Sequence, residues 1–442
     1  MSEEKYKRIN IRLYPTKEQE VKMCNHVNHV RFIKNYFIQY CTDKRENEGI
    51  YYRDNTKSLN VLKKHLTQLQ QQENFKWLKE TSRHSKNQAI KDVLVSFEKL
   101  YTRQSKTVRL RKKGKVPNTY SIRNDLDENK LSRFRRISNR EFKIEMLGKV
   151  KFSQKQYKKY KHIFDGIESK HKFTNPIVKH DGKYWYVSIL YRDDLVSKNQ
   201  VTELTNEVIG IDLGIKTLAT CSNGKSYKNI NKSSKVKKLE KKLNRLQRQL
   251  SRKYEINKDK LRIYHLDKEG KPVKTKTGIY KTSLLKTKNI IKLEKEIKLL
   301  NRKLKNIRNN HIHTMTKEIV EQYPSEIVIE DLKVSNMIKN KHLSKHISKC
   351  SWYTIRKYLE YKCEDRGILL TIANTYYPSS QTCSCCGKQL TKQDKLSLSQ
   401  RTFTCECGTK IDRDINASYN LKNYRYSNWY QNHLAKQTKS SK

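Results

Sequence analysis

What this chain of 442 residues has little of is acid: 44 Asp and Glu stand against 97 Lys and Arg, for a formal net charge of +53. Solubility needs far less, and a field this positive is the footprint of a polyphosphate partner. No apolar run is long enough to cross a bilayer, and the basic start has no signal-peptide core, which sets aside membrane-spanning and secreted classes. A disulfide framework is missing too. Of the ten cysteines, five fall within residues 383–407, a crowding that suits metal ligands in a reducing compartment. The expectation is an intracellular nucleic-acid-binding protein with no membrane partner, cytoplasmic and nucleoid-associated in a prokaryote or nuclear in a eukaryote. A basic ribosomal or chromatin protein is the bland competitor, and acidic motifs set inside apolar strands argue against it.

Cys383 and Cys386 form a Cys-x-x-Cys knuckle closed by Gly387, and Cys405 and Cys407 form a tighter Cys-x-Cys turn closed by Gly408. Four thiolates on two short turns match the tetrahedral coordination that structural zinc prefers. Cys385 competes with Cys386 as a ligand, and the knuckle spacing favours Cys386. The scattered Cys24, Cys41, Cys221, Cys350 and Cys363 read as small buried hydrophobes.

Acidic residues are few, so their placement is informative. Val208-Ile209-Gly210-Ile211-Asp212-Leu213-Gly214 reads as a buried strand with one charge inside it, costly unless a cation or hydrogen bonds compensate. Alone, Gly-x-Asp-x-Gly is a weak signal, because phosphotransferase folds use it as well as nuclease folds. Glu326-Ile327-Val328-Ile329-Glu330-Asp331-Leu332 is a second apolar strand ending in carboxylates. Asp412-Arg413-Asp414-Ile415-Asn416-Ala417 opens a helix expected over Ile415–Tyr424, whose N-terminus favours a nearby phosphate. Asp212, Glu330 and Asp414 are therefore candidate ligands for two Mg²⁺ ions. Such ions take oxygen donors and, about 3.5–4 Å apart, clamp the attacking water and leaving oxygen of a phosphodiester. Asp212, central in its strand, is the expected bridging ligand, and Asp412 competes with Asp414.

The spacing also predicts an organisation. Arg8–Leu13 alternates as a half-buried strand, and Thr16 with Gln19 forms a capping box for a helix carrying Val21, Val27, Val30, Phe32 and Ile33. Helical patterns continue to about residue 106, including Ala89–Leu100, and short strands are expected over 107–195. Val236, Leu239, Leu243, Leu246 and Leu250, then Ile290, Leu293, Ile297, Leu300, Leu304 and Ile307, give two seams of a helical hairpin. Residues 231–310 hold 27 Lys and Arg but 7 Asp and Glu, so the outer faces form a phosphate-tracking wall. A dimerising coiled coil is the competing reading. Tyr376 and Tyr377 are candidate base-stacking platforms, while His311 and His313 read as surface residues.

Gly210–Gly214, Ile329–Leu332, Pro378–Gly387, Cys405–Gly408 and Asp412–Ala417 together resemble TnpB, the transposon-encoded RNA-guided nuclease family related to miniature type V CRISPR effectors. Ile11–Gln19 resembles that family's start. The resemblance implies a multidomain α+β and α/β protein: an RNase H-like (RuvC) nuclease domain with an inserted zinc ribbon, preceded by a β-rich wedge domain with a helical recognition insert. The expected segments are 1–16 and 107–205 for the wedge domain and 17–106 for the recognition lobe. The nuclease domain then spans 206–382 with its hairpin at 231–310. The ribbon is expected at 383–408, a closing helix at 409–430 and a disordered tail at 431–442. It further implies catalytic Mg²⁺ on Asp212, Glu330 and Asp414, structural Zn²⁺ on Cys383, Cys386, Cys405 and Cys407, a guide RNA, and double-stranded target DNA. In such a protein base pairing reads the sequence, while the positive channel grips backbone. The Cys-x-Cys turn departs from the commoner Cys-x-x-Cys, and the stretch 253–288 exceeds the family's usual length. A guide-binding repressor that does not cut and a protein-only transposase or junction resolvase remain alternatives.

Overall fold

In the computed structural model, residues 6–112, 118–124, 133–168, 174–192, 203–258, 260, 262–264, 270–273, 282–340, 342–391, 394, 396 and 400–432 are described. The expected tail falls almost wholly outside them. The chain divides into two compact units, residues 1–199 and 200–442.

In the first unit, β1 (Tyr6–Tyr14) buries Ile9, Ile11 and Leu13, the alternation its sequence predicts. Thr16 and Gln19 then close a capping box, Gln19 N donating to Thr16 Oγ1 at 3.3 Å and Thr16 N to Gln19 Oε1 at 3.0 Å. That box starts the unbroken α1 (Lys17–Glu48), which packs on the core through Met23, Val27, Val30, Ile33 and Phe37. Val21 is exposed, since the helix turns it away from that stripe. Next come α2 (Thr56–Leu69) and α3 (Arg83–Tyr101), then β2 (Asn118–Ser121), β3 (Arg135–Ser138), β4 (Glu141–Ile144) and β5 (Gly148–Phe152). A helix, α4 (Gln154–Glu168), interrupts the stretch expected to hold only short strands. Last are β6 (Thr174–His180) and β7 (Trp185–Arg192), joined by a turn where Asp181 Oδ1 accepts from Lys183 N and Tyr184 N. The seven strands lie in the order β2-β6-β7-β1-β5-β4-β3, so the first strand is the middle of a sheet completed by distant residues.

The second unit opens with β8 (Thr205–Asp212), β9 (Thr217–Cys221) and β10 (Ser226–Lys228), the last two joined at Asn223-Gly224, where Gly224 has φ 85°. The helical hairpin follows: α5 (Ser234–Ile256) and α6 (Lys288–Val320), bridged beyond their ends by the strand pair β11 (Arg262–Tyr264) and β12 (Thr282–Leu284). The hairpin is antiparallel. Arg308 donates to Glu240 at 2.7 Å near one end and Tyr254 to Glu294 at 2.6 Å near the other. Val236, Leu246, Ile290, Leu300 and Leu304 are its buried seam residues. β13 (Pro324–Glu330), α7 (Val334–Met337), α8 (Ser344–Cys350), α9 (Trp352–Arg366) and β14 (Leu369–Ala373) complete the main layer. Its sheet runs β10-β9-β8-β13-β14, with β13 parallel to both β8 and β14 and β9 antiparallel to β8. The small hairpin of β15 (Thr402–Thr404) and β16 (Lys410–Asp412) runs directly into α10 (Arg413–Lys422), four residues past the expected ribbon end at 408. Among the described residues no helix is long and apolar enough to cross a membrane.

Candidate functional site

The register of β8 on β13 pairs Ile211 with Ile329, so the next residues, Asp212 and Glu330, emerge side by side at the carboxyl ends of two central strands. Chemistry gathers at this end of such sheets. The two carboxyl groups share a hydrogen bond. Asp414, in the first turn of α10, is close enough to act on both electrostatically. Burial first, then the charges of Glu330 and Asp414, push the Asp212 carboxyl well above the ordinary range. Burial likewise raises Glu330, opposed by hydrogen bonds from Ser379 and Asp212. Three carboxyl groups held at this density repel one another unless a proton or a cation intervenes.

Gly210 makes the approach of α10 possible. A Cβ there would sit 2.1 Å from Ser418 O and 2.3 Å from Lys422 N, so helix and strand meet backbone to backbone. Asp412 is otherwise engaged: its Oδ1 accepts from Asp414 N at 2.9 Å and Ile415 N at 3.2 Å as the helix cap. Asp331 is also committed, accepting from Arg356 at 3.0 Å and Thr375 at 2.9 Å.

Several contacts around the trio have no sequence signature. Ser379 Oγ donates to Glu330 Oε1 at 2.8 Å. Arg401 lies 3.6 Å from Asp414 Oδ1. Asn416 and Asn420, one helical turn apart and both buried, stitch α10 to the segment leading into the first knuckle. Asn416 Nδ2 donates to Thr382 O at 2.7 Å and its Oδ1 accepts from Ser384 N at 2.9 Å. Asn420 Nδ2 donates to Ser379 O and Thr382 O, both at 2.7 Å. The asparagines therefore tie the helix bearing Asp414 to the segment that holds Glu330 and presents Cys383.

The ligand atoms of Cys383, Cys386, Cys405 and Cys407 all lie within 4.8 Å of one another. Cys383 and Cys407 sulfurs are 3.7 Å apart and Cys386 and Cys405 sulfurs 3.6 Å. A tetrahedron of about 2.3 Å metal–sulfur bonds has edges of about 3.8 Å, so the cage has the size of a four-thiolate metal site. Hydrogen bonds from the Thr409 hydroxyl and backbone pull the Cys407 thiol down to about 6. Gly387 and Gly408 take φ 73° and 85° where each knuckle turns. Cys385 is exposed and outside the cluster. Cys41, Cys221, Cys350 and Cys363 are buried, whereas Cys24 is exposed, a correction to its expected burial, because it lies off the buried stripe of α1.

Residues 188–341 match a family described as "Probable transposase". Residues 352–421 match the Cas12f1-like TNB domain, and residues 1–49 match a family described as a helix-turn-helix domain. The described part of that last segment holds one strand and one unbroken helix. A Streptomyces pristinaespiralis protein named "Putative RNA-guided DNA endonuclease" is 29% identical over 237 residues, covering 54% of this chain and 49% of that protein. "Putative RNA-guided DNA endonuclease InsQ" of Escherichia coli (strain K12) is 24% identical over 432 residues, covering 93% of this chain and 90% of InsQ. The chain thus spans about half the length of the first relative and most of the second. A solved complex of Cas12f1, sgRNA and target DNA aligns with TM-score 0.46 and 14% identity, covering 95% of this chain and 99% of that one. Fold and site together define a multidomain, mixed α/β protein with a four-cysteine cluster beside a carboxylate trio. The chain is TnpB-like, with segments that match IS605 transposase and Cas12f1-like family domains.

Proposed function

We propose that this chain is an RNA-guided DNA endonuclease that cuts phosphodiesters at Asp212, Glu330 and Asp414. The observation that carries this reading is the meeting of three carboxyl groups from β8, β13 and α10 at one sheet end, where burial and the neighbouring charges raise Asp212 and burial raises Glu330. The names of two relatives, one matched over nearly its whole length, support the same activity. In this reading the β8–β14 sheet is the core of an RNase H-like (RuvC) domain, the four cysteines hold Zn²⁺, and the first unit supplies the wedge and recognition parts. The guide pairs with the target, and the +53 charge serves the backbones of both strands.

All-oxygen donors at high negative density fit hard divalent cations such as Mg²⁺. Two such ions, when bound, supply a polarised water and stabilise charge on the leaving oxygen. The chain's own groups do the rest. Asp212, which interacts with both Glu330 and Asp414, would be a ligand shared by the ions; Glu330 is kept in place by Ser379; Asp414 is carried in the first turn of a helix whose N-terminus favours the phosphate.

Replacing Asp212 by Ala, Glu330 by Gln or Asp414 by Ala is expected to abolish Mg²⁺-dependent cutting while RNA binding survives. Cleavage and RNA-retention assays on the same preparations check this, and a variant that still cuts removes its residue from the site. A protein-only transposase or resolvase is the second reading, favoured by the family description over residues 188–341. It predicts cutting that withstands RNase treatment.

A further inference from the structure

Tyr376 and Tyr377 follow the carboxyl end of β14, the strand that lies next to Glu330: Ala373 and Glu330 are register partners. The two tyrosines have opposite fates. Tyr377 packs edge-on against Tyr424 and Trp429, and its hydroxyl donates to Asn420 O at 3.1 Å. Tyr376 is 77% exposed, although burying a ring of this size is normally favourable.

The loop presenting Tyr376 is fixed on each side. Asn374 N donates to the Tyr424 hydroxyl at 3.1 Å, Thr375 Oγ1 donates to Asp331 Oδ2 at 2.9 Å, and Tyr376 N donates to Asn374 Oδ1 at 2.9 Å. Lys333, three residues past Glu330, places its ammonium 5.6 Å from the Tyr376 ring centre, and no ion pair engages it among the described residues. Two other exposed tyrosines of this unit lack that combination. Tyr353 is approached by Lys357, which is paired to Glu360, and Tyr426 follows Arg425, which is paired to Glu326 at the far end of β13.

We propose that Tyr376 and Lys333 form a stacking subsite for single-stranded DNA beside the carboxylate trio, the ring taking a base and the ammonium a phosphate. A rigidly presented aromatic face with an unengaged cation beside it is what a sequence-tolerant single-strand contact requires. At the end of β14, one strand away from Glu330, it grips the strand next to the phosphate to be cut and holds that phosphate in register. This inference rests on the nuclease reading for its purpose, but not for its measurement.

The test uses the full chain carrying its RNA and a single-stranded DNA containing 2-aminopurine, whose fluorescence is quenched on stacking. Binding is read without divalent metal, so it does not depend on cutting. Tyr376→Ala is expected to lose the quenching and, in Mg²⁺ cleavage assays, to raise KM by roughly 5- to 150-fold with little change in kcat. Tyr376→Phe and Tyr376→Trp keep both. Lys333→Ala lowers the slope of log affinity against log salt by about 0.7, the share of one phosphate. Unchanged quenching and KM in Tyr376→Ala, or a Phe variant as defective as Ala, overturns the subsite while leaving the nuclease reading intact. Quenching by a wild-type protein that cuts nothing overturns the nuclease reading instead.

Discussion

At the residue scale the protein keeps a destabilising cluster of charge. Asp212 has a raised pKa in the folded, metal-free chain, so the folded state holds its proton more tightly than the unfolded state does. Stability is therefore lost as pH rises from the ordinary aspartate value through the raised one. Asp212→Asn removes that penalty. It is expected to raise the metal-free melting temperature, by about 2–4 °C per kcal/mol relieved, with a gap over wild type that widens from pH 4 to pH 8. Mg²⁺ should raise the melting point of wild type but not of this variant, and thermal unfolding with and without Mg²⁺ checks both. A gap that narrows with pH contradicts the charge crowding. Asp212 and Glu330 could be picked out in the sequence because a carboxylate inside or at the end of an apolar run is costly and conspicuous, and Asp414 because it opens a helix just after the cysteine motif. Ser379 and Arg401 could not, since a hydroxyl or guanidinium becomes informative only once chain folding brings it 2.8 Å from Glu330 or 3.6 Å from Asp414.

At the element scale α10 joins the two chemistries. Its N-terminus carries Asp414, its flank rests on β8 over Gly210, and Asn416 and Asn420 fasten it to the segment entering the cysteine cluster. Replacing both asparagines by Ala removes the side-chain partners of the half-buried Thr382 carbonyl, the buried Ser379 carbonyl and the Ser384 N–H, each loss worth about 1–3 kcal/mol. The double variant is expected to release zinc faster and to lose most of its cutting while retaining RNA, measured with a chromophoric chelator and a cleavage assay. Removing zinc from wild type should likewise cost most of the cutting while sparing RNA binding, because the ribbon then no longer holds α10 in place. Cutting that survives in the double variant would detach the ribbon from the site. Local pattern exposed the capping box, the hairpin seams and the Asn223-Gly224 turn, all set by neighbours in sequence. It did not expose α4, the β11–β12 pair or the continuation of β15–β16 into α10. In the first two the periodic signal is short, and in the third the boundary depends on a cross-strand pairing of Thr402 with Asp412.

At the scale of the whole chain, the excess of 97 basic over 44 acidic residues and the seven-stranded sheet of the first unit are of different kinds. Charge is additive, so composition alone is enough to propose a polyphosphate partner. The sheet pairs β1 with β7 across Arg8 and Leu190, and no local pattern specifies such a partner. The nucleic-acid grip is expected to weaken steeply with salt, as counterion release requires.

The decisive measurement is to express the gene with its native flanking DNA, purify the protein, sequence the RNA that comes with it, and then replace that RNA's variable end. An RNA-guided nuclease gives a single discrete RNA, and the cut moves to DNA matching the new end and vanishes with Asp212→Ala. Cutting that ignores the replacement, or persists after the RNA is digested, would contradict the guided mechanism and leave a protein-only DNA enzyme.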